Sequence, residues 1–342
     1  MKSVRATDTH LNRIDYLDHL KGFAILWIVW WHAGCPPFAQ PYYHVPIFFF
    51  ISGLFFKRSV TFKELVKKSI KRIGIPFAFF YTISYPYRMI VYLWDHRTLV
   101  GFRWNCILDI FKIEWRADYL YVNVPLWFLV CLFSLQLIYY FVNKLPDWTI
   151  WIIAIGSSVL FVYTQYLPTP FMINDAMHYI TYFAVGNLIG HKLIVFLNIN
   201  KNRIHLIIIC LFLYIALKIC NTYSTIEFFS NIILHITTFT FIFFIFAVFS
   251  FIGNGYKRSI LKFYGLNSLI VLGLHVPVLI IYQRFFHKVC TSFGLGEAFV
   301  CTLCTIITLY PIILMLNKFI PKAIVGGKKK RQPLPRISPL ML

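Results

Sequence analysis

Long apolar runs separated by short polar connections recur along the chain from Leu20 to Ile320. An apolar run of about 20 residues is long enough for a helix to span the hydrocarbon core of a bilayer. The predicted spans lie at residues 20–36, 45–56, 75–94, 124–142, 148–166, 177–194, 204–219, 228–252, 263–285 and 298–320. The pattern therefore predicts an all-α integral membrane protein with about ten transmembrane helices. The second run is short, so it either begins earlier or is partly re-entrant.

The polar connections alternate between basic and charge-poor segments. The connection at residues 33–44 has no Lys or Arg, whereas the next one is dense in both. Its cations are Lys57, Arg58, Lys63, Lys67, Lys68, Lys71 and Arg72. Because Lys and Arg collect in cytoplasmic loops, the alternation predicts that both termini are cytoplasmic. We divide the chain into a membrane domain, residues 1–321, and a basic cytoplasmic tail, residues 322–342.

The composition agrees with a membrane protein. Hydrophobic residues make up 59% of the 342 residues and charged residues only 13%, whereas a soluble domain carries roughly 25% charged residues. The net charge of +21 is a topology signal in such a chain, so we expect the lipid bilayer and no nucleic acid as a partner. Cys301 and Cys304 form a C-x-x-C inside an apolar run, which favours helix packing over a metal site.

The first predicted span carries ionisable residues on one helix face. Lys21 and His32 are eleven residues apart, so they return to within about 20° of each other and lie about 16 Å apart along the axis. Asp18 lies within about 40° of His32. An ionisable group inside a membrane is costly, so His32 is predicted to be functional; the alternative is a structural histidine bonded to a neighbouring helix. The simpler role for Asp18 is to favour the helix start.

The second span begins near His44 and ends near Ser52 and Gly53. It enters from the charge-poor side, so we expect His44 near the outer surface and close to His32. Ser52 and Gly53 by themselves are typical of close helix packing. The following basic stretch, which ends in Lys71 and Arg72, is on its own a topology signal or a contact with anionic lipid.

Together these segments resemble the membrane acyltransferase family called acyltransferase 3, and within it the branch of fucose 4-O-acetylase-like acetyltransferases. The resemblance rests first on the spacing of Lys21 and His32, on the run from His44 to Gly53, and on the basic stretch that continues to Pro76. The segment Leu126–Leu129, the run Gly265–Leu269 and the His275-x-Pro277 motif add to it. These motifs follow the order expected of the family over most of the chain.

The resemblance implies an acyl-CoA donor, usually acetyl-CoA, and an acceptor hydroxyl on a cell-surface polysaccharide or lipid-linked sugar. CoA is anionic and cytoplasmic, and Lys21, Lys71 and Arg72 are the cations predicted to hold its phosphates near the inner face. We count Ser52 with them as a donor-binding candidate. No metal is expected.

His32, His44 and Asp18 are the candidate catalytic residues. His32 acts either as the general base that takes the proton of the sugar hydroxyl or as the group that accepts the acyl chain before passing it on. His44 orients or assists, and Asp18 holds Lys21 in place. His275 either lines the same cavity or packs within an apolar helix.

A transporter or flippase of a lipid-linked saccharide is the main alternative, since embedded His and Lys residues also form proton relays. It explains the hydropathy and topology equally well, but it does not explain why Lys21 and His32 share one helix face. A membrane scaffold without chemistry is a third possibility. The pattern is typical of a bacterial cytoplasmic (inner) membrane protein, and the acyl group, the acceptor and the oligomeric state stay open.

Overall fold

The computed structural model describes residues 14–34, 41–111, 120–164, 167, 169–223, 227–252, 259–289, 295–321 and 324. These residues form helices and connections, with no β-strand among them. Apart from Ile324, the predicted basic tail at residues 322–342 lies outside the described residues. The all-helical prediction is confirmed for the part of the chain that the structure describes.

A helix occupies every predicted span. The helices are α1 (Asp15–His32), α2 (Pro41–Leu54), α3 (Phe62–Ser69), α4 (Ile75–His96), α5 (Trp127–Val142), α6 (Asp147–Thr164), α7 (Ile173–Phe196), α8 (Asn200–Tyr223), α9 (Glu227–Ile252), α10 (Ile260–Leu266), α11 (Ser268–Val289) and α12 (Leu295–Phe319). A π-helical turn, Ile70–Gly74, joins α3 to α4. Short 3-10 segments lie at Trp104–Phe111, Val124–Leu126 and Pro170–Met172.

Among the described residues, six segments are long and apolar enough to cross a membrane. They are Val124–Val142, Pro170–Phe196, Asn200–Thr222, Phe229–Ile252, Ser268–His287 and Gly296–Phe319. Two shorter apolar helices lie at Tyr43–Leu54 and Asp147–Phe161. The chain is therefore an integral membrane protein, while the number of about ten spans and the cytoplasmic termini stay predictions.

Two parts of the chain differ from the simple pattern of spans. The basic connection contains α3, whose first turn is held by a capping box in which Thr61 and Glu64 exchange hydrogen bonds of 3.3 and 3.2 Å. The last predicted span but one is divided at Asn267 into α10 and α11. Both features bring polar groups to one internal cavity.

Glycines allow two close helix crossings that frame this cavity. Gly22 of α1 and Gly265 of α10 lie against each other's helix backbone, and a Cβ at either position would overlap a carbonyl group. Gly53 of α2 and Gly186 of α7 make the same kind of contact. Small residues let membrane helices approach closely, so α1 with α10 and α2 with α7 form rigid walls.

Candidate functional site

The candidate site is a cavity of about 840 Å³ between the helices of the two close crossings. Side chains from α1, α2, α3, the π-helical turn, α5, α7, α10 and α11 line it. Its walls are mainly apolar and aromatic, with Ile25, Ile51, Phe48, Trp127 and Phe128 among them. Polar groups collect at two ends, which we call the basic end and the histidine end.

All seven residues that the sequence analysis assigned to the site line this cavity. They are Asp18, Lys21, His32, His44, Ser52, Lys71 and Arg72. The rise of an α-helix separates Asp18 from His32 by about 21 Å along α1. The structure therefore brings Asp18 to the side of Lys21 and not to the histidines.

The basic end is formed by Lys57, Lys68, Lys71 and Arg72. Arg58, next to Lys57, donates to Asp147 at 2.9 Å and to Asn187 at 3.2 Å, so its charge is compensated. Among the described residues, no carboxylate makes an ion pair with any of the four cavity cations. Cations held together in this way create a positive potential that attracts anions.

The pKa of Lys68 reflects the short distances between the cations of the basic end. Burial lowers the pKa of its ammonium group, and the nearby charges of Arg72 and Lys57 lower it further. An anion bound at this end would offset that repulsion and favour the charged form of Lys68.

The middle of the cavity is lined by one charged group, Lys21, and by neutral polar groups. The Lys21 ammonium lies 5.6 Å from the centre of the Phe55 ring. Ser52 faces the cavity, whereas its neighbour Gly53 packs against α7. Ser69 donates to Gln136 at 2.7 Å, and both side chains also line the wall. The predicted pair of Ser52 and Gly53 thus divides into one cavity residue and one packing residue.

The histidine end is formed by the last residue of α1, His32, and by His44 of α2. His44 is only 1% exposed, and its ring centre lies 6.2 Å from those of Trp27 and Trp31. Trp31 also lies edge-on to His32, with ring centres 4.7 Å apart. The expectation that the two histidines lie close together agrees with this arrangement.

A third histidine lies behind His32. The rings of His275 and His32 have their centres 5.0 Å apart. His275 is fully buried and does not line the cavity itself. Its Nδ1 lies 2.8 Å from the Val271 carbonyl oxygen and 3.0 Å from that of Leu272.

Pro277 explains how this part of α11 is held. A proline has no N–H, so the carbonyl of Gly273, four residues earlier, loses its partner within the helix. Asn123 donates to that carbonyl at 2.8 Å and to Ser84 at 2.8 Å. The segment before α5 and the helix α4 are thereby joined to α11 beside His275.

The sequence analysis assigned no role to Lys68 or Gln136 and left that of His275 open. The capping box at Thr61 and Glu64 would have predicted the helix α3, and with it the orientation of Lys68 toward Lys71 and Arg72. Gln136 lies in an otherwise apolar run, where a single amide gives little signal. The pairing of His275 with His32 depends on packing between helices that are distant in sequence.

Comparison of the sequence with models of known protein families identifies the family of this chain. A family model described as an acyltransferase domain matches residues 14–317, nearly the whole chain. The chain belongs to the acyltransferase 3 family. No curated protein and no solved structure matches it. The match supports a membrane acyltransferase, and it includes every residue that lines the cavity of this acyltransferase 3 protein.

The reactive groups at the histidine end of this acyltransferase 3 protein are the imidazole rings of His32 and His44. A neutral imidazole takes or gives a proton and also acts as a nucleophile. Within the described residues, no group of three or more His, Cys, Asp or Glu side chains has an arrangement that could hold a metal ion.

Proposed function

We propose that this protein is an O-acyltransferase that moves an acyl group, in the first place acetyl, from cytoplasmic acyl-CoA to a hydroxyl of a cell-surface polysaccharide or lipid-linked sugar. The proposal includes membership of the fucose 4-O-acetylase-like branch and a location in a bacterial cytoplasmic membrane. One observation carries it: the cavity has four cations at one end that make no ion pair with a carboxylate within the described part of the chain, and at the other end the partly buried His32 and the buried His44.

The donor is proposed to bind with its phosphates at the basic end. Phosphates form strong charge-assisted hydrogen bonds with Lys and Arg, and several phosphates need several cations. Lys71 and Arg72 are exposed and accessible to a soluble ligand, whereas Lys21 lies deeper. Ser52 would meet the uncharged part of the donor along the apolar wall. In the predicted topology this end faces the cytoplasm, where CoA is found.

The reaction is proposed to take place at the histidine end. Lys21 and His32 are about 16 Å apart along α1, so an extended donor held at the basic end would present its thioester near His32. His32 then serves either as general base for the acceptor hydroxyl or as the transient acyl carrier. His44 is proposed to orient the reacting groups, and Asp18 to hold Lys21.

The first test is donor binding and turnover by the purified protein in detergent. Calorimetry with acetyl-CoA, CoA, dephospho-CoA and pantetheine measures how much of the affinity depends on the phosphates. We expect acetyl-CoA and CoA to bind, dephospho-CoA to bind more weakly, and pantetheine to bind weakest. Slow release of free CoA from acetyl-CoA reports the chemistry even when the acceptor is absent.

Succinyl-CoA in the same assay tests the acyl group. Lipid-linked and soluble saccharides added in turn then test the acceptor. Absence of acyl-CoA binding and of CoA release by the wild-type protein would overturn the proposal and leave the flippase as the leading account.

A further inference from the structure

His275 has a buried ring nitrogen whose role the fold does not explain. Its Nδ1 is within hydrogen-bond distance of two backbone carbonyl oxygens, those of Val271 and Leu272. Its Nε2 is buried and has no hydrogen-bond partner within the described part of the chain. A buried polar atom left unpaired is destabilising, so this nitrogen is a candidate for an interaction made during function.

The backbone contacts decide which tautomer His275 adopts. A carbonyl oxygen only accepts hydrogen bonds, so Nδ1 must carry the proton and donate it to α11. In the neutral ring, Nε2 then has a lone pair and acts only as an acceptor. The helix backbone therefore prepares His275 as a fixed acceptor in the membrane interior.

The neighbour placed to use this acceptor is His32. A hydrogen bond joins two nitrogens about 3 Å apart, and each lies about 1 Å from its ring centre. Two imidazoles that share a proton therefore have ring centres about 5 Å apart. Those of His32 and His275 are 5.0 Å apart, near enough for a hydrogen bond that the present ring orientations, tilted by 53°, do not make. His32 lines the cavity and His275 does not, so His275 supports His32 from behind.

We propose that His275 is the positioning residue for His32: its Nε2 accepts a hydrogen bond from one ring nitrogen of His32, which leaves the other nitrogen of His32 unprotonated toward the cavity. The inference rests on the proposed acyltransferase function and deepens it. His275 takes the place that a carboxylate has in many catalytic triads, where the partner selects the tautomer of the histidine and stabilises its protonated form.

The proton balance follows from this arrangement. The hydroxyl proton of the acceptor moves to the cavity-facing nitrogen of His32 as the hydroxyl oxygen forms a bond to the thioester carbonyl carbon. The imidazolium formed on His32 keeps its second N–H on His275. When the carbon–sulfur bond breaks, the proton moves from His32 to the leaving sulfur, which gives the ester, free CoA and neutral His32.

A second pair of histidines, both partly buried, provides a matched control. The ring centres of His178 and His235 are 5.1 Å apart, and the Tyr182 hydroxyl lies 2.8 Å from Nδ1 of His235. Neither histidine lines the cavity of about 840 Å³. Replacement of His178 by Phe removes a partly buried imidazole from the same membrane interior but keeps a ring beside Tyr179, the cavity residue whose ring centre lies 4.8 Å from that of His178.

The test compares His275→Phe, His275→Asn and His275→Gln with His178→Phe, each as full-length protein in detergent. Asn keeps the donor toward the Val271 carbonyl but lacks an acceptor at the position of Nε2, whereas the longer Gln places its amide oxygen near that position. We expect kcat to fall about 10²-fold or more in the Phe and Asn variants with KM for acyl-CoA nearly unchanged. Gln should restore most of the lost rate, and His178→Phe should keep the wild-type kcat.

An independent readout is the tautomer of His32, measured by nitrogen NMR of histidine-labelled protein and assigned by loss of the signal in His32→Ala. We expect one tautomer in the wild type and a mixture in His275→Asn. An unchanged tautomer, or a wild-type kcat in the Asn variant, would overturn the inference. If the wild type neither binds nor cleaves acyl-CoA, the proposed function fails, whereas the tautomer measurement still decides whether His275 orients His32.

Discussion

The two ends of the cavity are built in different ways. The cations of the basic end, Lys57, Lys68, Lys71 and Arg72, come from 16 consecutive residues of the chain, and three of the four are exposed. The histidines come from α1, α2 and α11, and His44 and His275 are almost completely buried. A local, exposed cluster is suited to capture a soluble polyanion, whereas a buried group assembled from distant helices is suited to chemistry away from water.

This difference separates binding from catalysis in the proposed mechanism. Interactions made equally in the ground state and the transition state change donor affinity, whereas those made only in the transition state change kcat. Substitutions at the basic end should therefore weaken donor binding, and those at the histidine end should slow the reaction. If substitutions at both ends changed only donor affinity, or only kcat, binding and catalysis would not be separated in this way.

The largest effect is expected at His32. In His32→Ala, the rate of acyl transfer or CoA release should fall by about 10²–10⁴-fold, because general-base or nucleophilic catalysis is lost. The dissociation constant of CoA should change by less than about threefold, since the charge-assisted contacts with the donor are at the other end. Single-turnover kinetics and calorimetry measure the two quantities on the same sample.

His32→Gln provides the second variant for this test, because it keeps a polar side chain at the end of α1. It should bind CoA normally and be as slow as His32→Ala. Near-normal turnover in either variant would contradict a chemical role for His32. A combined loss of binding and turnover in both would show instead that His32 is needed for the fold.

A smaller effect is expected for the two exposed cations of the π-helical turn. Lys71→Ala and Arg72→Ala should each weaken CoA binding by about 10-fold, with kcat little changed, because one charge-assisted contact with phosphate is lost. Added salt should weaken wild-type binding and reduce the difference from the variants, since exposed charges are screened. Calorimetry at two salt concentrations measures both effects.

Lys67→Ala is the matched control for the basic end. Lys67 is exposed on α3, next to Lys68, and does not line the cavity. Its removal lowers the net charge by the same amount without removing a predicted phosphate contact. Equal losses of affinity in the Lys67, Lys71 and Arg72 variants would indicate a general charge effect and argue against a defined phosphate site.

Much of the basic end could be predicted from the sequence, because its residues are neighbours along the chain. Charge patterning located the basic stretch that contains Lys71 and Arg72, and the family resemblance assigned these two residues to the donor; both line the cavity. The helix period also placed Lys21 and His32 on one face of α1. The positions of residues around a single helix follow from the regular helix period, so they can be predicted without knowledge of tertiary contacts.

The histidine end could be predicted only in part. His32 and His44 belong to consecutive helices, so topology alone brings them close, whereas His275 lies near His32 because α11, distant in sequence, packs against α1. The break between α10 and α11 at Asn267 was also not predicted. Packing between helices more than 200 residues apart has no periodic signal in a single sequence.

A pH dependence is expected from Lys68. Burial, Arg72 and Lys57 hold the pKa of Lys68 below its ordinary value of 10.5, and a bound phosphate raises it again. As pH rises through the lowered pKa, binding must take up a proton, so affinity for CoA should fall several-fold, and at a lower pH than it would for a lysine with the ordinary pKa. CoA is the probe because it has no thioester to hydrolyse. In Lys68→Arg the charge persists and the dependence should be largely abolished.

The smallest effect is expected at Ser52, where two interpretations of one side chain can be separated. Ser52→Ala should weaken donor binding about 2–10-fold, as for the loss of one neutral hydrogen bond, without a change in thermal stability. Gly53→Ala should instead lower the melting temperature, because its Cβ would overlap the backbone of Phe183 in α7. Calorimetry and thermal unfolding of both variants measure the contrast. Unchanged affinity in Ser52→Ala would leave both residues as packing elements and restrict the donor site to the basic end.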